Sequence, residues 1–256
     1  VLRSGNVLLL RRSDGKALLT VGDQARIYPA SLTKLMTVLV ALEALPDLRQ
    51  KVPLPEALFP PLYAANASRA GFLPGETVQA ADLLYGAMLP SGADACAALA
   101  RYIAGSEAAF VERMNRRAAD LGMRDTHFVN SDGLHDDDHY TTCRDLALLL
   151  EAALRNRSFY DVFTAASHTC APTAQHPSGL TFQSTLLPGA GEREFQGGKI
   201  LGGKTGYTSK AGLCLATLAE KRGAEYILIT AGAAGDHNTE PFHILDAFAI
   251  YQDYLS

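Results

Sequence analysis

The chain has 256 residues, 48% hydrophobic, 20% charged and 8% aromatic, with a formal net charge of −4 and a pI near 6.0. That composition is ordinary for a globular protein with a substantial core, and its scattered Lys and Arg exclude nucleic acid as the main partner. No apolar run reaches the roughly 18 residues of a membrane span, and strand-like residues begin almost at once, as expected of a mature chain whose targeting segment has been removed.

Asn6 to Arg12 and Lys16 to Val21 read as strands joined by the turn Ser13-Asp14-Gly15. Ser31-Leu32-Thr33-Lys34 then opens a stretch to Leu45 that is apolar nearly all round, which predicts a helix buried on most sides. Pro46 to Pro61 is proline-rich and reads as a loop. Helices are expected over Ala80 to Leu89, Ala93 to Ile103 and Glu107 to Leu121, the last stopped by Gly122. Asn130 to Tyr140 is polar and reads as a loop, after which Thr141 or Thr142 caps a helix to about Arg155. Short strands are expected near His168 to Ala171 and Leu180 to Ser184, with stronger ones at Gly212 to Ala219 and Tyr226 to Ala231. Phe242 to Tyr254 closes the chain as an amphipathic helix. Strands at both ends with helices between them predict an α/β fold of the α+β type. Its antiparallel sheet is built from both termini, and a mostly helical subdomain is inserted over about 36–160.

Ser31 and Lys34, three apart at a helix start, share one face about a turn apart. A serine hydroxyl needs a neighbouring base to become a nucleophile. The first helical turn also offers free N–H groups and a positive dipole end to a developing oxyanion. Ser91-Gly92-Ala93 falls on a turn between two predicted helices, and Lys204-Thr205-Gly206 falls just before a strong strand. S-x-x-K with a later K-T-G is a signature pairing of penicillin-recognising serine enzymes. Acyl transfer needs a nucleophile, a base, a relay and an oxyanion site. Ser31 is the candidate nucleophile, Lys34 the base and Ser91 the relay to a leaving amine. Lys204 and Thr205 would hold a substrate carboxylate, Gly206 would let a ligand approach the backbone, and the N–H groups of Ser31 and Tyr207 would form the oxyanion hole.

The match extends beyond these motifs. Tyr28-Pro29-Ala30 before Ser31, and Asp82-Leu83-Leu84-Tyr85-Gly86 leading to Leu89-Pro90-Ser91-Gly92, resemble the low-molecular-mass D-alanyl-D-alanine carboxypeptidases of the penicillin-binding-protein superfamily. So do Thr126-His127-Phe128-Val129-Asn130 with Gly133-Leu134, His139-Tyr140-Thr141-Thr142, and Gly202-Gly203-Lys204-Thr205-Gly206-Tyr207-Thr208 with Ala211-Gly212. The resemblance covers roughly residues 5–252. It implies a β-lactamase/transpeptidase-like fold over 1–256 as one catalytic domain, with the site where sheet and helical subdomain meet. It also implies an extracytoplasmic serine-type carboxypeptidase that removes D-alanine from peptidoglycan peptides ending in D-Ala-D-Ala. β-Lactams would be covalent inhibitors, and neither metal nor cofactor is implied; the resemblance leaves membrane tethering open.

Two departures stand out. The second motif is usually Ser-x-Asn, but position 93 is Ala, so an amide that would hold the substrate peptide is missing. Asp94 or an ordered water is the candidate to compensate, and Asn at position 93 is expected to raise activity if the loss is a handicap. The chain also shows no second β-rich C-terminal domain, which many relatives carry.

Other readings remain open at this level. A serine β-lactamase would need a carboxylate before the K-T-G strand, for which Glu192 and Glu194 are candidates. A metal enzyme would use His135-Asp136-Asp137-Asp138-His139, although that stretch reads as a solvated loop. Ala93 alone motivates a non-catalytic β-lactam-binding cell-wall module. Cys96 and Cys214 are expected as buried free thiols, and spacing leaves any pairing with Cys143 or Cys170 open. His127, His168, His176, His237 and His243 are assigned to loops and packing, since no acid–base partner is evident for them.

Overall fold

Val7 and Leu9 point to one side of the first strand and Leu8 to the other, and all three are buried, so the sheet they begin is covered on both faces. A computed structural model describes residues 1–186 and 193–255. In it β1 (Asn6–Arg11) and β2 (Lys16–Val21) join β7 (Glu194–Phe195), β8 (Gly198–Thr208), β9 (Gly212–Lys221) and β10 (Ala224–Ala233). These form a six-stranded antiparallel sheet in the order β2-β1-β10-β9-β8-β7. The sheet is assembled from both chain ends, as the sequence predicts.

The period-2 alternation carries through the central strands. Leu8, Cys214, Ala216, Leu218, Ile227 and Ile229 join the large core shared with the helices. Val7, Leu9, Leu215, Ala219 and Leu228 face α8 (Phe242–Tyr254), where Ile244, Ala247, Ile250 and Tyr251 complete a second core. Tyr251 places its hydroxyl 2.6 Å from Thr217 Oγ1, so the one polar atom of that ring is satisfied in the interior. Asp246 of α8 ties in the other chain end, accepting from the N–H of Arg3, the N–H of Ser4 and Ser4 Oγ.

The helical part consists of α1 (Thr33–Ala44), α2 (Phe59–Ala64), α3 (Ala80–Met88), α4 (Ala93–Ala104), α5 (Glu107–Asp120), α6 (Cys143–Ala153) and α7 (Arg157–Thr164). Every residue of α1 from Thr33 to Leu42 is buried, and it packs against α3, α4, α5, α6 and α7. Its all-round apolar sequence is therefore that of a central helix. Caps follow the sequence chemistry. Ser106, Thr142 and Asn156 accept from the N–H groups of Ala109, Asp145 and Phe159, starting α5, α6 and α7.

Several expectations need correction. The proline-rich stretch 46–61 contains β3 (Lys51–Pro53), paired with β4 (Thr77–Gln79), and the start of α2. Proline is tolerated there because Pro60 and Pro61 occupy the first helical turn, where N–H groups are unpaired anyway. Lys204-Thr205-Gly206 does precede a strong strand, β9, but it also lies inside a long strand of its own, β8. Glycines at 202, 203 and 206 hide the strand signal, and they are needed for packing: a Cβ on Gly202 would lie 2.4 Å from Phe163 O of α7. All four cysteines are buried and free. The two short strands expected here, β5 (Ser167–Thr169) and β6 (Thr181–Gln183), pair with each other as a small antiparallel hairpin.

Replacing Asp246 by Ala leaves three N–H and O–H donors at the chain ends without their carboxylate. Because bonds to a charged acceptor are worth about 1.5–3 kcal/mol each, the loss expected in a urea melt is at least about 2 kcal/mol. Asp246→Asn, which keeps one acceptor, should lose less.

Candidate active site

The peptide around Ser31 is forced into an unusual shape before α1 begins. Ala30 has a left-handed backbone with φ 47°, and Ala30–Leu32 forms a 3-10 turn, so Ser31 precedes the α-helix proper. A left-handed alanine is an outlier that the surroundings must impose. Two segments press on it. A Cβ on Gly133, itself at φ +89°, would sit 1.9 Å from Ala30 O, and one on Gly206 would sit 3.0 Å from Ser31 N. Loop 130–140 and strand β8 thus clasp the turn from two sides; position 133 admits only glycine, and a side chain at 206 would crowd the turn.

Lys34, 2% exposed, stands one turn above Ser31. Its Nζ donates to Ser31 Oγ at 3.0 Å and to Asp132 O at 2.6 Å. The second lysine repeats the arrangement. Lys204 is fully buried, and its Nζ donates to Ser91 Oγ at 2.9 Å and to Thr205 O at 2.7 Å. Burial pushes the Lys204 amine well below its ordinary range, and the charge of Lys34 pushes it the same way. Ser91 is also left-handed, with φ 63°, which turns its hydroxyl out of the α3–α4 corner. Thr205 Oγ1 lies 2.6 Å from Thr185 Oγ1.

Ser31, Ser91, Thr205, Gly206 and Tyr207 line one cleft of about 360 Å³. The structure therefore brings the predicted residues together on a single cleft, except for the two lysine amines. Lys34 lines an adjoining space of about 160 Å³. Lys204 lies behind the cleft wall, its amine aimed at Ser91.

Sequence reasoning missed several partners. Asp132 contributes only its backbone carbonyl, for which no side-chain signal exists. His237 and His243, expected to serve loops and packing, both line the cleft, and His237 meets Tyr207 edge-on at 4.9 Å. His168 and His176 do have acid partners: Asp82 at 2.7 Å and Glu76 at 2.8 Å. Asp94 does not compensate for Ala93. Its carboxylate accepts from the N–H groups of Ala70, Gly71, Phe72 and Ala95, which fixes the loop beside the cleft.

The acidic stretch 135–139 is a loop, and its last histidine is structural. His139 Nδ1 accepts from Val129 N–H at 2.9 Å, so its Nε2 carries the proton and donates to Thr33 Oγ1 at 2.7 Å. Among the described residues, the group with metal-ligand spacing is Asp82, His168 and Cys170. Both Asp82 oxygens there already accept hydrogen bonds, from His168 and from Ala171 N–H. Burial pushes the Cys170 thiol up to about 12, so the cluster is a hydrogen-bonded tie between α3 and the β5–β6 hairpin. Of the carboxylates that a lactamase would need, Glu194 pairs with Lys199 at the far end of β8, and Glu192 lies outside the described residues.

Residues 1–235 match the D-alanyl-D-alanine carboxypeptidase family, peptidase S11. The chain belongs to this family. A D-alanyl-D-alanine carboxypeptidase of Streptomyces sp. (strain K15) is 33% identical over 232 residues, covering 88% of this chain and 79% of that protein. D-alanyl-D-alanine carboxypeptidase DacF of Bacillus subtilis is 31% identical over 254 residues, and this chain spans 63% of its length. The crystal structure of the Streptomyces DD-transpeptidase superposes with a TM-score of 0.84 at 30% identity, covering 96% of this chain and 95% of that one. The α+β sheet-and-helix architecture is thus that of the carboxypeptidase family.

Two expected outcomes follow from this geometry. Gly133→Ala should lower stability by at least about 2 kcal/mol in a thermal melt, because strain and a backbone clash coincide; an unchanged melt would refute the clasp. Burial also pushes His139 down to about 4. A histidine whose folded value is depressed contributes stability that is complete above its unfolded value of about 6.5 and lost as pH falls toward 4, here about 3 kcal/mol. His139→Gln should flatten the fall of Tm between pH 6.5 and 4.5, and an acid limb as steep as the wild type's would refute the assignment.

Proposed function

We propose that the chain is a serine-type D-Ala-D-Ala carboxypeptidase that removes the terminal D-alanine from peptidoglycan stem peptides. The observation that carries this reading is the 3.0 Å contact of Lys34 Nζ with Ser31 Oγ, on a cleft that Ser91 and the Lys204-Thr205-Gly206 strand share. Ser31 Oγ attacks the carbonyl carbon of the D-Ala-D-Ala peptide bond, and Lys34 takes its proton. The N–H groups of Ser31 and Tyr207 receive the developing oxyanion. As the C–N bond breaks, Ser91 passes a proton to the leaving D-alanine amine and regains one from the lysine pair. Water then attacks the Ser31 ester and releases the shortened peptide.

Lys204 serves two ends in this scheme. Its amine holds Ser91 in the relay position, and it adds positive potential behind Thr205, whose hydroxyl faces the substrate carboxylate. β-Lactams would acylate the same serine, since their strained amide presents the same carbonyl and carboxylate. The site of action is extracytoplasmic, where that substrate is found; no helix of the described residues is long and apolar enough to cross a membrane.

Intact-protein mass after incubation with benzylpenicillin should show one adduct, absent in Ser31→Ala. Release of D-alanine from an acylated tripeptide ending in D-Ala-D-Ala should fall by several orders of magnitude in the same variant, as loss of a nucleophile does. Retained labelling of Ser31→Ala would overturn the mechanism. Rapid turnover of β-lactam without D-alanine release would favour a lactamase instead.

A further inference from the structure

Position 93 is where the substrate-holding amide is missing, and the surroundings of Ala93 show how the site is rebuilt. Ala93 is 2% exposed, and its side chain joins Leu62 and Ala67 in a small apolar cluster of its own. Its N–H donates to Ser68 O at 2.7 Å. The segment 66–68 is therefore laid directly against the start of α4. Ala67 turns inward to the cluster, while its neighbours Asn66 and Ser68 remain exposed. Both line the 160 Å³ space that also contains Ser31, Lys34 and Ala93.

Asn66 is set apart from its neighbours by its backbone. It is left-handed, with φ 49°, and its N–H is used by Tyr63 O at 3.1 Å. Among non-glycine residues asparagine is one of the few that adopt this conformation readily. The residue is exposed and lines the space beside Ser31, so its carboxamide is open to a ligand there. A free amide offers a donor and an acceptor together, which is the complement of one peptide unit of an extended substrate.

We propose that Asn66 supplies the substrate-binding amide that position 93 lacks, its carboxamide holding the peptide backbone of the substrate beside Ser31. The inference rests on the peptidase reading above. Ala93 makes an apolar contact with Ala67, and the same segment carries Asn66 to the space beside Ser31. Asn at position 93 would then bury an amide among Leu62 and Ala67 rather than present it to substrate.

The test uses Asn66→Gly, which removes the amide while favouring the same left-handed backbone, with Asn66→Asp as the variant that keeps acceptors only. Two readouts run side by side: steady-state release of D-alanine from an acylated tripeptide ending in D-Ala-D-Ala, and the rate of Ser31 acylation by benzylpenicillin followed by intact mass. Asn66→Gly should keep the wild-type Tm, raise KM about tenfold with a smaller change in kcat, and slow acylation; a tenfold change matches one hydrogen bond of about 1.4 kcal/mol. Asn66→Asp should fall between the two. Ala93→Asn introduced into Asn66→Gly should not restore KM. Wild-type KM and acylation rate in Asn66→Gly would overturn the role of Asn66, as would full rescue by Ala93→Asn. A wild-type chain that is acylated yet releases no D-alanine would sink the peptidase reading alone, leaving the acylation comparison to decide Asn66. A wild-type chain that does neither would sink both.

Discussion

Two lysine amines are buried where the sheet meets the helices, and most of the local structure is arranged to keep them there. Burying an ammonium without partners costs several kcal/mol. Each amine is given the same pair of acceptors, one serine hydroxyl and one backbone carbonyl: Ser31 Oγ and Asp132 O for Lys34, Ser91 Oγ and Thr205 O for Lys204. No carboxylate is among these partners. With no carboxylate to hold Lys204 charged, burial and the nearby charge of Lys34 push its amine well below the ordinary range. The pairing therefore couples the two serines through two amines rather than through an acid.

Keeping that geometry strains the backbone. Ala30 and Ser91, the residue before one serine and the other serine itself, both lie in the left-handed region, at a cost of about 1–3 kcal/mol each. The strain is held by features away from the cleft. α1 is buried along nearly its whole length, His139 bonds Thr33 at the helix start, and Thr37 donates to Ser131 O just before Asp132. Gly133 and Gly206 let the loop and strand close on the turn. The active-site geometry thus depends on the same packing that stabilises the helical region, so core and site are not separable here.

The polar residues near Ala93 divide into structural and available groups in a way their sequence positions do not reveal. Asp94 looks like a spare carboxylate next to a missing amide, but four backbone N–H groups occupy it. Asp82 and Glu76 likewise serve the histidines and backbone of the segment 168–176. Contacts with a distant loop leave no trace in a linear pattern, which is why residue type alone misassigned Asp94 and gave no sign of the acidic partners of His168 and His176.

The sequence by itself determined the alternation that makes β1, β9 and β10 two-faced, the all-round apolar α1, a threonine cap at the start of α6, and the three motifs that name Ser31, Lys34, Ser91 and Lys204. These are local signals, fixed by side-chain periodicity and hydrogen-bonding chemistry within a few residues. The tertiary structure alone decided that Lys204 faces Ser91 rather than the open cleft, that Asp132 O anchors Lys34, and that Gly-rich β8 is a strand. It also decided that Asn66 lines the space beside the nucleophile. Each of those depends on contacts between segments far apart in the chain, whose energy comes from burial and close approach and is not encoded in any single stretch.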